Sequence, residues 1–246
     1  MVSKNDIKLV KQLEQKKYRQ RLGLFVAEGP KVVGDLLKSG FRATRLFATP
    51  AYPIPTLPTA TQVTIVSEEE LQRLSFLQHP QQVLAVFQKP EQAVPATPHG
   101  LCLALDGIQD PGNLGTIIRI ADWFGIDTIY CSNDTADAWN PKVVQATMGS
   151  IAHTNIFYIE LTDMLEKSNL PVYGTLLDGE DIYSQELAEE GIIVMGNEGN
   201  GISPAIRRLV SHKLFIPCYR EGNTAESLNV AIATAITCAE FRRRHA

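Results

Sequence analysis

Three short segments of the chain hold residue types whose spacing suits chemistry. The segment Ser227-Leu228-Asn229-Val230-Ala231 puts two hydrogen-bonding side chains where a helix should start, after the apolar strand Leu214–Ile216 and a polar turn. Free backbone N–H groups and the positive end of the helix dipole point there, so such a terminus can hold a polar or anionic ligand. The helix itself is slim, built from Ala231, Ala233, Thr234, Ala235 and Thr237, which predicts close packing against a neighbour. The segment Gly196-Asn197-Glu198-Gly199-Asn200-Gly201 follows the apolar run Ile192–Met195. Its glycines permit close backbone approach and positive φ. Their order is neither the dinucleotide fingerprint nor a P-loop, and both a plain turn and a ligand loop fit it. The segment from Asp106 to Arg119 ends a strand, crowds a loop with Asp110-Pro111-Gly112, and opens a helix near Asn113. Arg119 falls on the side of that helix that carries Gly115 and Thr116. It interrupts an apolar stretch, Ile117-Ile118-Arg119-Ile120-Ala121, where a cation usually has a partner to serve.

These segments need a scaffold, and the alternation around them supplies one. Strands at Leu101–Leu105, Thr128–Tyr130, Val172–Leu176, Ile192–Met195 and Leu214–Ile216 alternate with helices at Leu114–Phe124, near Lys142, near Ala205 and after Asn229. That predicts an α/β domain over 101–246, a mainly parallel sheet covered on both faces, with ligands at the carboxyl ends of the strands. All three segments lie at such ends. Residues 90–100, with Pro90, Pro95, Pro98 and Gly100, read as a linker. Before it, residues 1–89 read as a small α/β domain: a helix over Asn5–Arg21, strands at Leu24–Ala27, Leu46–Ala48, Val63–Val66 and Val83–Phe87, a helix from Pro30 to Leu37, and a Ser67/Glu70 capping box.

Composition narrows the class. With 44% hydrophobic and 20% charged residues the chain is an ordinary globular protein. The charged start argues against a secretory signal and no apolar run is long enough for a bilayer, so a cytoplasmic protein without membrane contact is expected. Cys102, Cys131, Cys218 and Cys238 lack metal-ligand spacing, so reduced thiols and no metal are expected. The formal net charge is −4, yet Lys4, Lys8, Lys11, Lys16, Lys17, Arg19 and Arg21 load the amino end and Arg242–Arg244 the carboxyl end. A solvated helix face and a surface for phosphate both fit this pattern.

Taken together the three segments resemble the signature motifs of the SpoU (TrmH) family of RNA ribose 2′-O-methyltransferases, in the SPOUT superfamily. They read D-x-x-x-D-P-x-N-L-G-x-x-x-R, G-x-E-G-x-G and S-L-N-V, in that order. Asn140-Pro141-Lys142-Val143-Val144 and Ala146–Ser150 resemble the family's middle region, and Phe25–Gly29 with Ala85-Val86 is similar to the small RNA-binding domain many members carry. The resemblance implies a trefoil-knotted α/β domain, S-adenosylmethionine as cofactor, RNA as substrate and a homodimer. It places the cofactor against Leu176, Gly196, Asn197, Glu198, Gly199, Ile216 and Leu228. It assigns catalysis to Asn113, Arg119, Glu198, Ser227 and Asn229. The family reading makes Arg119 the base; because a guanidinium has no acceptor, a role holding the adjacent phosphate and polarising the ribose hydroxyl is the alternative, with Ser227 and Asn229 orienting the ribose. Glu198 and Asn113 can also be read as helix caps. Lys16, Lys17, Arg19 and Arg119 are the expected RNA contacts. Ribosomal RNA is the expected substrate, with transfer RNA, or a non-catalytic ribosome-associated role on the same scaffold, as alternatives. An unrelated nucleotide-binding α/β enzyme is disfavoured by the glycine order. The turn from Pro217 to Ser227 is longer and more charged than the family's, which makes Tyr219, Arg220 and Glu221 candidates for the RNA entry.

Overall fold

The computed structural model describes residues 2–91, 93–220 and 227–245. They form two units, Met1–Gln92 with Asp137–Ala152, and Ala93–Ala136 with His153–Ala246. The expected domain 101–246 therefore needs one correction: its segment Asp137–Ala152 packs into the first unit. The reason is specific. Trp139 sits against Phe25, ring centroids 4.6 Å apart, and Asp137 pairs with Arg19.

In the first unit β1 (Leu24–Glu28), β2 (Ala43–Ala48), β3 (Gln62–Ile65) and β4 (Val83–Gln88) form a sheet in the order β1-β4-β2-β3. Its core gathers Val10, Leu13, Val26, Phe47, Leu71, Leu74, Leu84 and Val86. The Ser67/Glu70 capping box is in place. The single helix expected over Asn5–Arg21 is two, α1 (Lys4–Gln12) and α2 (Lys16–Leu22), with Gln15 extended between them. Arg19 makes that break tolerable. Its Nη1 donates to the Leu13 and Glu14 carbonyls (2.8 and 2.7 Å), which the interrupted helix leaves unpaired. Its Nε and Nη2 donate to Asp137 Oδ2 (2.8 and 2.6 Å). At 1% exposure Arg19 is a buried ion-pair partner, and the expectation that it meets RNA is corrected. Breaking a buried pair of this kind costs about 3–5 kcal/mol.

In the second unit β5 (Leu101–Asp106), β6 (Thr128–Cys131), β7 (Asn155–Tyr158), β8 (Val172–Asp181), β9 (Gly191–Gly196) and β10 (His212–Phe215) form one sheet in the order β10-β8-β9-β5-β6-β7. Every pairing is parallel. The first five residues of both β5 and β9 are buried, as a strand covered on both faces requires. Strand β7 and α7 (Leu161–Lys167) were not expected; four and seven residues are too short for a period to show. The long helices are α5 (Pro111–Trp123) and α9 (Val230–Arg244), and they pack on each other. Arg242 donates to the Phe124 and Gly125 carbonyls (2.7 and 2.8 Å), closing the negative end of α5. Arg243 and Arg244 both bind the buried Glu240, and Arg244 also reaches the Tyr183 carbonyl at 2.6 Å. Of the two readings of the basic carboxyl end, solvated face or phosphate surface, neither describes Arg242 and Arg244, whose guanidinium groups bond within this unit.

Candidate active site

Strands β5 and β9 are neighbours, and their register sets Asp106 opposite Gly196, so the loops that follow them leave the sheet side by side. The loop after β9 depends on a missing side chain. A Cβ on Gly196 would lie 2.3 Å from the Gly201 carbonyl carbon and from the Ile202 nitrogen. Asn197 and Gly201 exchange backbone hydrogen bonds of 2.9 Å, and Gly201 takes φ +69°. The Asn197 side chain ties the turn on both sides: its Oδ1 accepts from Gly199 N and Asn200 N (2.9 and 3.0 Å), and its Nδ2 donates to the Gly107 carbonyl at 2.7 Å. Asp106 Oδ2 accepts from Ser203 N at 2.7 Å. The loop is thus bonded from within and to the end of β5 before any ligand arrives.

The N-cap of α5 is Asp110, which accepts from Asn113 N at 2.7 Å, with Pro111 at the first helical position. Asn113 is therefore not the cap, and its side chain is available for something else. Its Nδ2 donates to Glu198 Oε1 (3.0 Å), and its Oδ1 accepts from Asn229 Nδ2 (2.9 Å). Asn229 in turn caps α9, its Oδ1 accepting from Ala231 N and Ile232 N (3.0 and 3.3 Å). The direction of this chain is forced. The Asn229 oxygen must face the helix N–H groups, so its NH₂ faces Asn113, whose own NH₂ must then face an acceptor. Among the described residues the Glu198 carboxylate fills that last place. Glu198 does not cap α8 (Pro204–Arg207), whose N-cap is Ser203, so the capping reading of Glu198 is corrected as well.

The remaining expected residues surround this chain without bonding to it. Leu176 and Ile216 are both half-buried: Leu176 falls in the gap of the β8–β10 pairing between Gly174 and Glu180, and Ile216 directly follows β10. Beside Leu176 the β8–β10 register jumps between Lys213 and Leu214, and Gly179 crosses Leu214 so closely that a Cβ would sit 2.6 Å from its carbonyl carbon. Strands β10, β8 and β9 are consecutive in the sheet; Gly196 ends β9 and Ile216 directly follows β10, while Leu176 lies within β8, two residues past its last pairing with β9. Ser227 and Leu228 are exposed just before the Asn229 cap. Arg119 is exposed on α5, two turns beyond its start, with no hydrogen bond or ion pair among the described residues. Tyr219 and Arg220 are exposed, whereas Glu221 and the rest of 221–226 lie outside the described residues. Asp106 and Asp110 were missed as positioning groups. Their signal was present: an acid ending an apolar strand, and an Asp-Pro opening a helix. Three thiols are buried, and burial pushes Cys102 up to about 11 and Cys238 up to about 12, which leaves them unreactive.

Comparison with known proteins identifies the family. Residues 100–239 match the SpoU rRNA Methylase family, and residues 4–85 match the MRM3-like substrate binding domain. The chain is 36% identical over 238 residues to the 23S rRNA (guanosine(2553)-2′-O)-methyltransferase RlmP of Bacillus subtilis, covering 94% of each. Among solved structures it resembles a TrmH-family protein from Porphyromonas gingivalis (42% identity, TM-score 0.88, 99% of each chain). It also resembles an AdoMet-bound rRNA methyltransferase from Sinorhizobium meliloti (30% identity, TM-score 0.86, 100% of this chain and 98% of that one).

Proposed function

The chain belongs to the SpoU rRNA methylase family, and from that premise we propose that it transfers a methyl group from S-adenosylmethionine to a ribose 2′-hydroxyl of ribosomal RNA. The observation that carries the reading is the bonded chain Glu198–Asn113–Asn229, which joins all three motifs at one end of one sheet.

The residues present fit the cofactor. Gly196 leaves room for backbone and nothing else, while Leu176, Ile216 and the half-exposed Leu228 offer apolar surface around the loop of Asn197, Glu198 and Gly199. Bound there, S-adenosylmethionine supplies an electrophilic methyl group on a good leaving group, so the reading needs no metal. The protein's part is then alignment and help with the hydroxyl proton. Arg119 holds the phosphate next to the target ribose and polarises its 2′-hydroxyl; Ser227 and Asn229 orient the ribose. Asn113 and Glu198 keep the Asn229 amide turned the right way. Lys16 and Lys17 are retained as RNA contacts on the first unit.

If the chain works as a unit, its parts should not add. Asn113→Ala and Glu198→Gln are each expected to cost about 1–3 kcal/mol of transition-state stabilisation, which is roughly 5–150-fold in kcat. The double variant should be little worse than the worse single. Fully additive losses in a double-mutant cycle would show the three residues acting separately.

A homodimer belongs to the same reading. Trp123 on α5 is 84% exposed and Ile232 on α9 is 52% exposed, on two helices that pack together. We read these two exposed apolar side chains as part of the face that a second copy covers. Trp123→Asp is expected to convert a sedimenting dimer to a monomer, and a monomeric wild type at micromolar concentration would refute the interface. The trefoil knot belongs to the same reading, as what membership of the family implies for the second unit. A cytoplasmic location belongs to the same reading, in keeping with the likeness to a bacterial 23S rRNA methyltransferase; among the described residues no helix is long and apolar enough to cross a membrane.

The reading is tested by incubating the protein with labelled S-adenosylmethionine and unmodified transcripts of 23S rRNA and of transfer RNA. Label in the ribosomal transcript is expected. Label confined to transfer RNA would reassign the substrate, and cofactor binding without label in either would favour a non-catalytic role.

A further inference from the structure

Helix α2 presents more positive charge than its surroundings neutralise. Lys16, Lys17 and Arg21 are exposed, and none has an ion pair among the described residues. The carboxylate of Asp137 is already occupied by Arg19. Two of the three cations are not splayed into water. Lys17 Nζ lies 5.1 Å and Arg21 Cζ 4.8 Å from the centroid of the Tyr18 ring. Attraction to the ring quadrupole holds each one, and neither head has a hydrogen bond or ion pair among the described residues. A hollow of about 320 Å³ is lined by these three residues. An anion entering it is bordered by both cationic side chains.

The positive surface continues toward the end of β4. Lys89 is half-buried, with no hydrogen bond from its ammonium among the described residues. Burial first, and the charges of Arg19 and Lys16 after it, hold its pKa below the usual lysine value, against an opposing pull from Asp137. Cations are therefore arrayed along α2 and beside it, rather than collected at one point. A lone phosphate in so open a hollow keeps one side in water and gains little. A polyanion gains at every contact by releasing counterions.

We propose that Lys17, Tyr18 and Arg21 form a phosphate subsite for the RNA backbone, with Lys16 and Lys89 extending it along the strand. Tyr18 is the positioning residue, since it holds the two cation heads where the phosphate needs them. The assignment rests on the reading of the protein as an enzyme acting on RNA, and it gives the first unit a defined part in holding that RNA.

The test measures binding of an unmodified 23S rRNA transcript at several KCl concentrations. Lys17→Glu/Arg21→Glu is expected to weaken binding at least tenfold, and to lower the slope of log Kd against log[KCl] by roughly one to two. The cofactor Kd should stay within about twofold of wild type and the melting temperature close to it, the contribution of exposed charges to stability being small. Should the reversal unfold the protein, Lys17→Ala/Arg21→Ala removes the same charges more gently and should show the same salt slope. Tyr18→Phe should bind as wild type, and Tyr18→Leu about threefold more weakly, because the ring's hold on the cations is worth about 0.5–1 kcal/mol. Unchanged affinity and unchanged salt slope in a folded double variant that still methylates would overturn the subsite and leave the enzyme reading intact. So would competition by inorganic phosphate beyond that of KCl at equal ionic strength, which would mark a free-anion site. A wild type that neither binds nor methylates RNA would overturn both.

Discussion

Arg119→Ala is expected to lower kcat by roughly 10²–10⁴-fold, the range for losing a group that acts on the proton of a reacting atom, while cofactor binding stays within about twofold. The contrast follows from position. Arg119 makes no hydrogen bond or ion pair among the described residues, so its removal breaks nothing that holds the glycine loop or the Asn113–Asn229 bond. A helix cation in an apolar stretch that serves no internal partner is placed for an external one. Arg119→Lys keeps the charge without the planar fork and should recover only part of the rate. Equal kcat in wild type and Arg119→Ala would remove Arg119 from the reaction in either role, base or orienter.

Gly196→Ala is expected to weaken S-adenosylmethionine binding by roughly 100-fold, at the upper end of what overpacking a tight site costs, and to lower the melting temperature. The added methyl would meet backbone atoms at 2.3 Å, and backbone cannot rotate aside, so the turn that pairs Asn197 with Gly201 must open. Gly199→Ala is the matched control. Its Cβ would meet only the Asn197 side-chain oxygen, at 3.6 Å, and near-normal binding is expected. Calorimetry on the two variants separates a loop that needs a bare backbone at one position from a loop that merely tolerates glycine. Equal losses at both positions would contradict the crossing as the cause.

Much of this was legible because local rules and tertiary packing agreed. Continuous apolar runs at Leu101–Leu105 and Ile192–Met195 announced central parallel strands, and the motif residues stood at their carboxyl ends. What was not legible depended on partners far away in the chain. Nothing in Lys16-Lys17-Tyr18-Arg19-Gln20-Arg21 says that Arg19 turns inward, since its burial needs Asp137, 118 residues later, and the carbonyls freed at Leu13 and Glu14. The terminal arginines read as a basic tail until Phe124, Gly125, Tyr183 and Glu240 appear as their acceptors. The site shows the same division. The resemblance to the family's motifs named Asn113, Glu198 and Asn229, while the order in which they bond follows from one forced amide orientation at the start of α9.

The central claim is that these residues direct a methyl group to a ribose oxygen. The most direct measurement is mass spectrometry of nucleosides digested from 23S rRNA transcript after reaction with wild-type protein and S-adenosylmethionine. The account predicts a single 2′-O-methylnucleoside, absent with Arg119→Ala. A methyl group on a base, or a 2′-O-methylnucleoside that persists undiminished in the Arg119→Ala reaction, would contradict it.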